Sequence, residues 1–284
     1  MTRLAAHDPM VSTEWLAEHL DDPAVMVIDA SWFMPGTPRN ARAEHAERHI
    51  PGAVFFDIDE ISDHSNPLPH MLAEPADFAV HARRLGVEPS SEVVVYDSLG
   101  LFSAPRVWWN FRVMGHDAVS VLDGGLPKWV AEARPLEEGW PQREHGEFKA
   151  HFRPELVRGL EQMRAIVVSR AEQVLDARSS ARFRAEAPEP RDGLRGGHMP
   201  GACNLPSAML AAPGGTLAGK AELQRLFTEA GIDLERPIVT TCGSGVSAAI
   251  LALGLARLGH WDAPVYDGSW TEWGARSDTP VEAA

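Results

Sequence analysis

Short apolar runs that end in a polar residue or a turn recur along the chain. In the first half these runs are Val25–Ala30, Glu92–Asp97 and Val119–Gly125. Continuous apolar runs of this length are typical of strands buried on both faces, as in parallel sheets. Helical periodicity precedes the first run, at Thr13–Leu20, and lies between the last two, from about Pro105 to Met114. The first half therefore predicts an α/β domain with a mostly parallel sheet.

The second half of the chain repeats the order of the first. Five pairs of corresponding residues are separated by 144 to 149 positions: Asp29 and Asp176, His49 and His198, Asp97 and Cys242, Asp123 and Asp267, Trp129 and Trp273. This period is too long for a solenoid and indicates a duplicated domain. We predict two tandem α/β domains, over residues 1–140 and 155–284, each a mostly parallel sheet flanked by helices. The linker is expected within residues 136–151, and recurring residues other than the cysteine are expected to serve folding.

The two halves differ at the end of one strand, where the second half has Cys242 in place of Asp97. A loop with two glycines follows, Gly243–Ser247, and then an apolar helix over Ala249–Ala256. Glycines allow the backbone to curl so that its N–H groups point inward, and the helix start adds the positive end of its dipole. A cysteine in such a cup is expected to exist partly as the reactive thiolate.

Composition narrows the class of protein. The chain has 284 residues and 44% hydrophobic content. Its formal net charge of −14 argues against binding to a nucleic-acid backbone. The cysteine count is 2, which implies no disulfide framework and is typical of a reducing compartment. No apolar run reaches the roughly 18 residues of a membrane span, and Met1–Pro9 lacks the apolar core of a signal peptide. We expect a cytoplasmic protein without a membrane segment.

Several chemistries are open to the cysteine at the strand end. A free cysteine is often a buried structural residue, which is our interpretation of Cys203. A cysteine phosphatase needs an arginine six residues after its nucleophile to bind phosphate, and this chain has Ala248 at that place. Sulfur transfer needs a thiolate that attacks a divalent sulfur and N–H groups that hold the resulting persulfide. The sequence favours sulfur transfer at Cys242. With no Cys/His cluster at ligand spacing and no nucleotide fingerprint, we expect neither a metal nor an organic cofactor.

Two tandem domains, HIPGA-type turns, the strand–Cys–loop–helix and the C-terminal segment Tyr266–Trp273 resemble the rhodanese superfamily, from about Trp15 onward. The loop that starts at Cys242 is similar to the CGSGVTA loop of 3-mercaptopyruvate sulfurtransferases, with Ser247 in place of Thr. The resemblance implies an enzyme that moves sulfur from 3-mercaptopyruvate to a thiophilic acceptor through a persulfide on Cys242 and releases pyruvate. Cyanide, small thiols and thioredoxin are the acceptors that it implies.

Two alternatives stay open. Thiosulfate sulfurtransferases of the same fold carry two basic residues in this loop, in a CRKGVT-like pattern. Here the corresponding positions, Gly243 and Ser244 with Gly245, carry no charge, so the cup offers no cationic side chain to a small dianion such as thiosulfate. A thiosulfate:cyanide sulfurtransferase is the enzymatic alternative. A non-catalytic rhodanese module that binds or senses sulfur is the alternative from another class.

The resemblance also implies roles for residues away from the cysteine. Arg182 and Arg191 match the family pattern RFR…PEPRDG and would bind the carboxylate and keto group of mercaptopyruvate, since a guanidinium fork suits a carboxylate. A Ser/His/Asp set is implied at Ser244, His70 and Asp59, which would assist the leaving enolate. His70 and Asp59 fall in the first predicted domain, which would then close the site. The loop residues implied to bind the substrate are Gly243, Gly245, Val246 and Ser247, and Arg184 is expected to be peripheral.

Overall fold

The computed structural model describes residues 8–283. Contacts divide them into two units. The first unit contains residues 8–63, Leu72–Arg153 and Ala212–Leu217, and the second contains His64–Met71, Pro154–Ala211 and residues 218–283. The predicted domains 1–140 and 155–284 stay predictions, and their outer ends lie outside the described residues. Most of Met1–Pro9, on which the expectation about a signal peptide rests, also lies outside them.

The first unit is built on a parallel sheet. Its strands are β1 (Met10–Val11), β2 (Val25–Asp29), β3 (Val54–Phe55), β4 (Glu92–Tyr96) and β5 (Val119–Leu122), and its helices are α1 (Thr13–His19), α2 (Ala41–Glu47), α3 (Pro75–Arg84), α4 (Ala104–Val113) and α5 (Gly125–Ala131). The described strands form one 5-stranded sheet in the order β1-β5-β4-β2-β3, with every pair parallel. All residues of β2 are buried, as its continuous apolar run predicts.

The second unit repeats this plan. Its strands are β6 (Val157–Arg158), β7 (Gln173–Asp176), β8 (Cys203–Asn204), β9 (Ile238–Thr241) and β10 (Val265–Tyr266), and its helices are α6 (Leu160–Ser169), α7 (Ser180–Phe183), α8 (Lys220–Glu229), α9 (Ala248–Arg257) and α10 (Ser269–Trp273), with 3-10 turns at Pro154–Leu156 and Ser207–Leu210. Over the described residues the sheet has 5 parallel strands in the order β6-β10-β9-β7-β8. The two sheets confirm the predicted α/β fold class.

Recurring residues make the same hydrogen bonds in both units. The backbone of His49 exchanges two hydrogen bonds of 2.9 Å with Glu137, and that of His198 exchanges bonds of 2.8 and 2.9 Å with Glu282. The indole N–H groups of the paired tryptophans each donate to a proline carbonyl at 2.8 Å: Trp129 to Pro135 and Trp273 to Pro280. These contacts tie the turns and termini of each unit together, which supports the expected role of the recurring residues in folding.

The two central strands of the second unit lead into its candidate site. β7 and β9 pair over four positions, from Gln173 with Ile238 to Asp176 with Thr241. In a parallel sheet of this kind, ligands bind beyond the carboxyl ends of the strands. The residues that directly follow β7 and β9 are therefore placed at the functional edge. None of the helices in the part of the chain that the structure describes is both long and apolar enough to cross a membrane.

Candidate active site

The backbone after β9 wraps around the sulfur of Cys242. This cysteine follows the last strand residue, and only 1% of its surface is exposed. The N–H of Gly245 donates a hydrogen bond to Cys242 Sγ at 3.1 Å. Gly245 has a φ of +79°, in the left-handed region that favours glycine, so the glycine is required for this curl. The structure thus places one backbone N–H of the predicted cup at the sulfur of Cys242.

Ser269 holds the cysteine from its other side. Its Oγ accepts a hydrogen bond from Cys242 N at 3.2 Å, donates one to Tyr266 O at 2.8 Å, and lies 4.0 Å from Cys242 Sγ. Ser269 is fully buried with a φ of +49°, a conformation that costs a non-glycine residue about 1–3 kcal/mol. The hydrogen bonds of Ser269 Oγ to Cys242 N and Tyr266 O stabilise this conformation. Ser269 was not predicted as a site residue, although it lies in the Tyr266–Trp273 segment that carried the resemblance.

The remaining loop residues form a closed turn. Ser244 and Val246 are 7% and 4% exposed, and Gly245 is also buried, whereas Gly243 and Ser247 are half-buried. Helix α9 begins directly after the loop, and Ile250 N donates a hydrogen bond to Ser247 O at 3.1 Å. The loop itself contributes no charged side chain. Any cation that binds a donor must therefore come from another segment.

The corresponding loop of the first unit binds an anion supplied by the chain itself. Asp97 follows β4 as Cys242 follows β9, and its carboxylate is buried. It accepts backbone hydrogen bonds of 2.8–3.0 Å from Leu99, Phe102, Ser103 and Ala104. Burial raises the pKa of Asp97, although these N–H groups act in the opposite direction. A loop at this place in the fold can therefore present converging N–H groups to a negative charge.

Arg182 lies against the cysteine loop. A Cβ built on Gly243 would be 3.0 Å from Arg182 Nη2, so the guanidinium contacts the first loop residue. Arg182 Nε donates to Glu189 Oε2 at 3.1 Å, and Nη2 binds the same oxygen. The buried Arg178 donates to the other oxygen, Oε1, at 2.7 Å. Sequence reasoning missed Arg178 and Glu189, although Glu189 lies inside the PEPRDG pattern that drew attention to this segment.

The two other arginines of the family pattern lie in different settings. Arg191 is half-buried, two residues beyond Glu189 in the irregular segment that follows α7. Arg184 is exposed, and its Nε and Nη2 each donate to Glu186 at 2.8 Å. The Glu186 pair agrees with the peripheral place expected for Arg184. A binding role for Arg191 stays a prediction.

The predicted His/Asp pair is divided between the units. His70 is 6% exposed, has a φ of +60°, and lies in the segment His64–Met71 that groups with the second unit. Asp59 belongs to the first unit, where its Oδ2 accepts a hydrogen bond from Trp32 Nε1 at 2.8 Å. The roles expected of His70 and Asp59 stay predictions.

The second cysteine has a different environment. Cys203 lies on the short edge strand β8, is partly exposed, and its Sγ is 3.9 Å from Gly231 O. Burial raises the pKa of the Cys203 thiol, which favours the unreactive form. Between residues 8 and 283, no group of three or more His, Cys, Asp and Glu side chains is arranged to hold a metal ion.

Comparison with known proteins defines the class. The rhodanese-like domain family matches residues 12–132 and 160–276, so the chain belongs to the rhodanese family. It is 48% identical over 273 residues to the 3-mercaptopyruvate sulfurtransferase of Escherichia coli strain K12, covering 96% of this chain and 97% of that protein. It is 46% identical over 274 residues to the human 3-mercaptopyruvate sulfurtransferase, covering 94% and 92%. A crystal structure of a 3-mercaptopyruvate sulfotransferase from Escherichia coli matches with a TM-score of 0.86 at 45% identity, covering 93% of this chain and 99% of that one.

Proposed function

We propose that this protein is a sulfurtransferase that moves sulfur from 3-mercaptopyruvate to a thiophilic acceptor through a persulfide on Cys242. The observation that carries the proposal is the hydrogen bond from Gly245 N to Cys242 Sγ at 3.1 Å, in a loop bordered by Arg182. The rhodanese family and the two relatives named 3-mercaptopyruvate sulfurtransferase support the donor.

The first half-reaction makes the persulfide. The Cys242 thiolate attacks the sulfur of the donor, an S–S bond forms, and the C–S bond breaks with its electron pair going to the donor carbon. The resulting enolate takes a proton, formally the one from the donor thiol, and leaves as pyruvate. The outer sulfur of the Cys242 persulfide then carries the negative charge. Backbone N–H groups aimed at developing charge are an effective way to stabilise such a state.

The carboxylate and keto oxygens of the donor are assigned to Arg182 and Arg191. A planar guanidinium can form two parallel hydrogen bonds with a carboxylate. Ser244, with His70 and Asp59, is assigned to proton transfer near the leaving enolate. Gly243, Gly245, Val246 and Ser247 form the wall of the cup. These roles are carried over from the family pattern, and the contact of Arg182 with Gly243 supports the one assigned to Arg182.

The second half-reaction returns the cysteine. Cyanide or a thiolate attacks the outer sulfur, and the S–S bond breaks with its electron pair going to Cys242. Small thiols and a thioredoxin-like protein are the acceptors that we propose, and cyanide is the convenient laboratory acceptor. The cytoplasmic location and the absence of nucleic-acid partners remain predictions from composition.

Steady-state kinetics with two donors test the proposal. Purified protein is assayed with 3-mercaptopyruvate and with thiosulfate, using cyanide as the common acceptor. We expect kcat/KM for mercaptopyruvate to exceed that for thiosulfate by at least about tenfold, or about 1.4 kcal/mol in transition-state stabilisation. A higher value for thiosulfate would favour the thiosulfate:cyanide alternative. Absence of turnover and of persulfide with both donors would favour the non-catalytic module.

A further inference from the structure

A chain of alternating charges runs from the sheet to the cysteine loop. Asp176 ends β7, and its carboxylate accepts hydrogen bonds of 2.6–3.1 Å from Nε and Nη2 of Arg178. The Arg178 side chain is 0% exposed, and its Cζ lies 4.1 Å from the centre of the Trp270 ring. Burial acts against its charged form, but Asp176 and Glu189 outweigh burial and raise the pKa of Arg178. This arginine is a fixed positive charge inside the unit.

Glu189 links this fixed charge to Arg182. Its side chain is 1% exposed, and each carboxylate oxygen serves one arginine: Oε1 accepts from Arg178, and Oε2 accepts from Arg182. A buried carboxylate with partners on both oxygens has little freedom to move. The Arg182 guanidinium is therefore held through Nε and Nη2. Its Nη1 is the end of the fork that Glu189 does not engage.

Gly243 provides the space that this arrangement needs. The backbone of Gly243 does not adopt a positive φ, so its conformation does not require glycine. A Cβ there would instead lie 3.0 Å from Arg182 Nη2, closer than ordinary van der Waals contact. A flexible arginine would move aside at little cost. One that is held by Glu189 can do so only by straining its charge-assisted hydrogen bonds to that carboxylate.

We propose that Arg178 and Glu189 are positioning residues that press Arg182 against Gly243, and that this packing sets the preference for an α-keto carboxylate donor. The proposal rests on the proposed function and names residues through which its site selects the donor. Any side chain at position 243, charged or not, displaces the guanidinium that receives the carboxylate. A substitution at position 243 therefore changes donor preference through the volume of the new side chain as well as through its charge.

A double-mutant cycle tests this coupling. Gly243→Ala, Glu189→Gln and the double variant are assayed with 3-mercaptopyruvate and with thiosulfate. We expect each single change to raise KM for mercaptopyruvate about tenfold, as for the loss of one charge-assisted hydrogen bond, with a smaller change in kcat. In the double variant KM should rise clearly less than the product of the single effects, because the released arginine no longer resists the new methyl group. KM for thiosulfate, which has no carboxylate, should change less.

A conservative variant separates position from charge. Glu189→Asp keeps the charge but is one methylene too short to reach both arginines, so we expect it to behave like Glu189→Gln. Wild-type KM in Glu189→Asp would overturn the proposal, as would multiplicative effects in the double variant or an equal loss with thiosulfate. If Glu189→Gln does not fold, Glu189→Asp replaces it in the cycle with the same criterion, since it also weakens the hold on Arg182.

The outcomes distinguish the two proposals. If the wild-type protein forms no persulfide with mercaptopyruvate, the proposed function fails. If the wild type is active and the two effects multiply, only the positioning role of Arg178 and Glu189 fails.

Discussion

Gly245 donates its backbone N–H to the sulfur of Cys242 across a distance of 3.1 Å. The loop between them has no cationic side chain, so the positive potential that the loop itself supplies at the sulfur comes from its backbone dipoles. In the first unit, Asp97 occupies the corresponding position and fills its loop with its own carboxylate. The duplication has thus produced one loop open to sulfur chemistry and one that is satisfied internally.

Replacing the nucleophile tests its necessity. Cys242→Ser should lower kcat for sulfur transfer at least about 10³-fold, because a serine hydroxyl forms no persulfide. The fold should be unchanged, since the side chain is small and its backbone contacts to Ser269 and Trp270 do not use sulfur. Thiocyanate formation and the urea midpoint measure the two effects. Retained turnover in Cys242→Ser would remove this residue from the mechanism.

The cup depends on the glycine that closes it. Gly245→Ala forces a side chain into a φ of +79°, which should cost about 1 kcal/mol of stability and move the N–H away from the sulfur. We expect a large loss of kcat together with that modest loss of stability. Gly259→Ala is the matched control, because Gly259 has a φ of +102° and its Cβ would meet nothing within 4 Å. Equal activity losses in both variants would show that backbone strain, and not the N–H contact, is responsible.

The arginines should affect donor binding more than chemistry. Arg182→Ala and Arg191→Ala should each raise KM for mercaptopyruvate, with a loss of roughly 1.5–3 kcal/mol per charge-assisted hydrogen bond. Arg184→Ala is the control, because Arg184 is exposed and paired with Glu186. Initial rates over a range of donor concentrations give KM. An unchanged KM in either test variant refutes the carboxylate assignment for that arginine.

Charge within the loop is tested against Gly243→Ala, which changes the volume at position 243 without adding a charge. Gly243→Arg combined with Ser244→Lys introduces two cations into the cup and should shift the ratio of kcat/KM values toward thiosulfate, since thiosulfate is a small dianion. The ratio for the two donors is the measurement, with cyanide as acceptor. Loss of activity with both donors alike would mean that loop charge does not select the donor.

A buried histidine predicts how stability depends on pH. Burial holds the pKa of His116 below its ordinary value of 6.5, so the unfolded state takes up this proton first as the pH falls. The contribution of His116 to the free energy of unfolding should be fully present above pH 6.5. It should fall below that pH by at most about 1.4 kcal/mol per pH unit, because one proton is involved.

Urea unfolding between about pH 7.5 and 5.5 measures this slope. His116→Gln should make it shallower, because the titrating group is removed, whereas His145→Gln at an exposed position should leave it unchanged. An identical slope in the wild type and in His116→Gln would contradict the assignment.

The apolar pattern was sufficient for the fold and for the position of the nucleophile. β2 and β4 contain continuous apolar runs, and such runs are typical of buried strands in a parallel sheet, whereas β9 begins with Ile238 and Val239 and ends in two buried threonines. The turn glycines and Cys242 follow a strand at fixed spacing, so their places are local properties of the chain. The internal repeat supported the remaining strand and turn predictions, because corresponding residues in the two halves indicate the same element.

The partners of the site could not be predicted in the same way. Glu189 lies in an irregular segment, and only folding shows that its two oxygens serve Arg178 and Arg182. The grouping of His70 with the second unit depends on the path of a loop that has no periodicity. The left-handed Ser269 accepts a tertiary hydrogen bond from Cys242 N, which the local sequence does not reveal. Long-range contacts of irregular segments have no signature in a single sequence.

Peptide mass spectrometry of the protein after reaction with the donor tests the central claim most directly. The reduced protein is mixed with 3-mercaptopyruvate without an acceptor, and the peptide that contains Cys242 is then analysed beside that from Cys242→Ser. We predict a gain of one sulfur atom on Cys242, about one equivalent of pyruvate, and loss of that sulfur as thiocyanate when cyanide is added. Pyruvate release without sulfur on Cys242, or sulfur on Cys203 instead, would contradict the account.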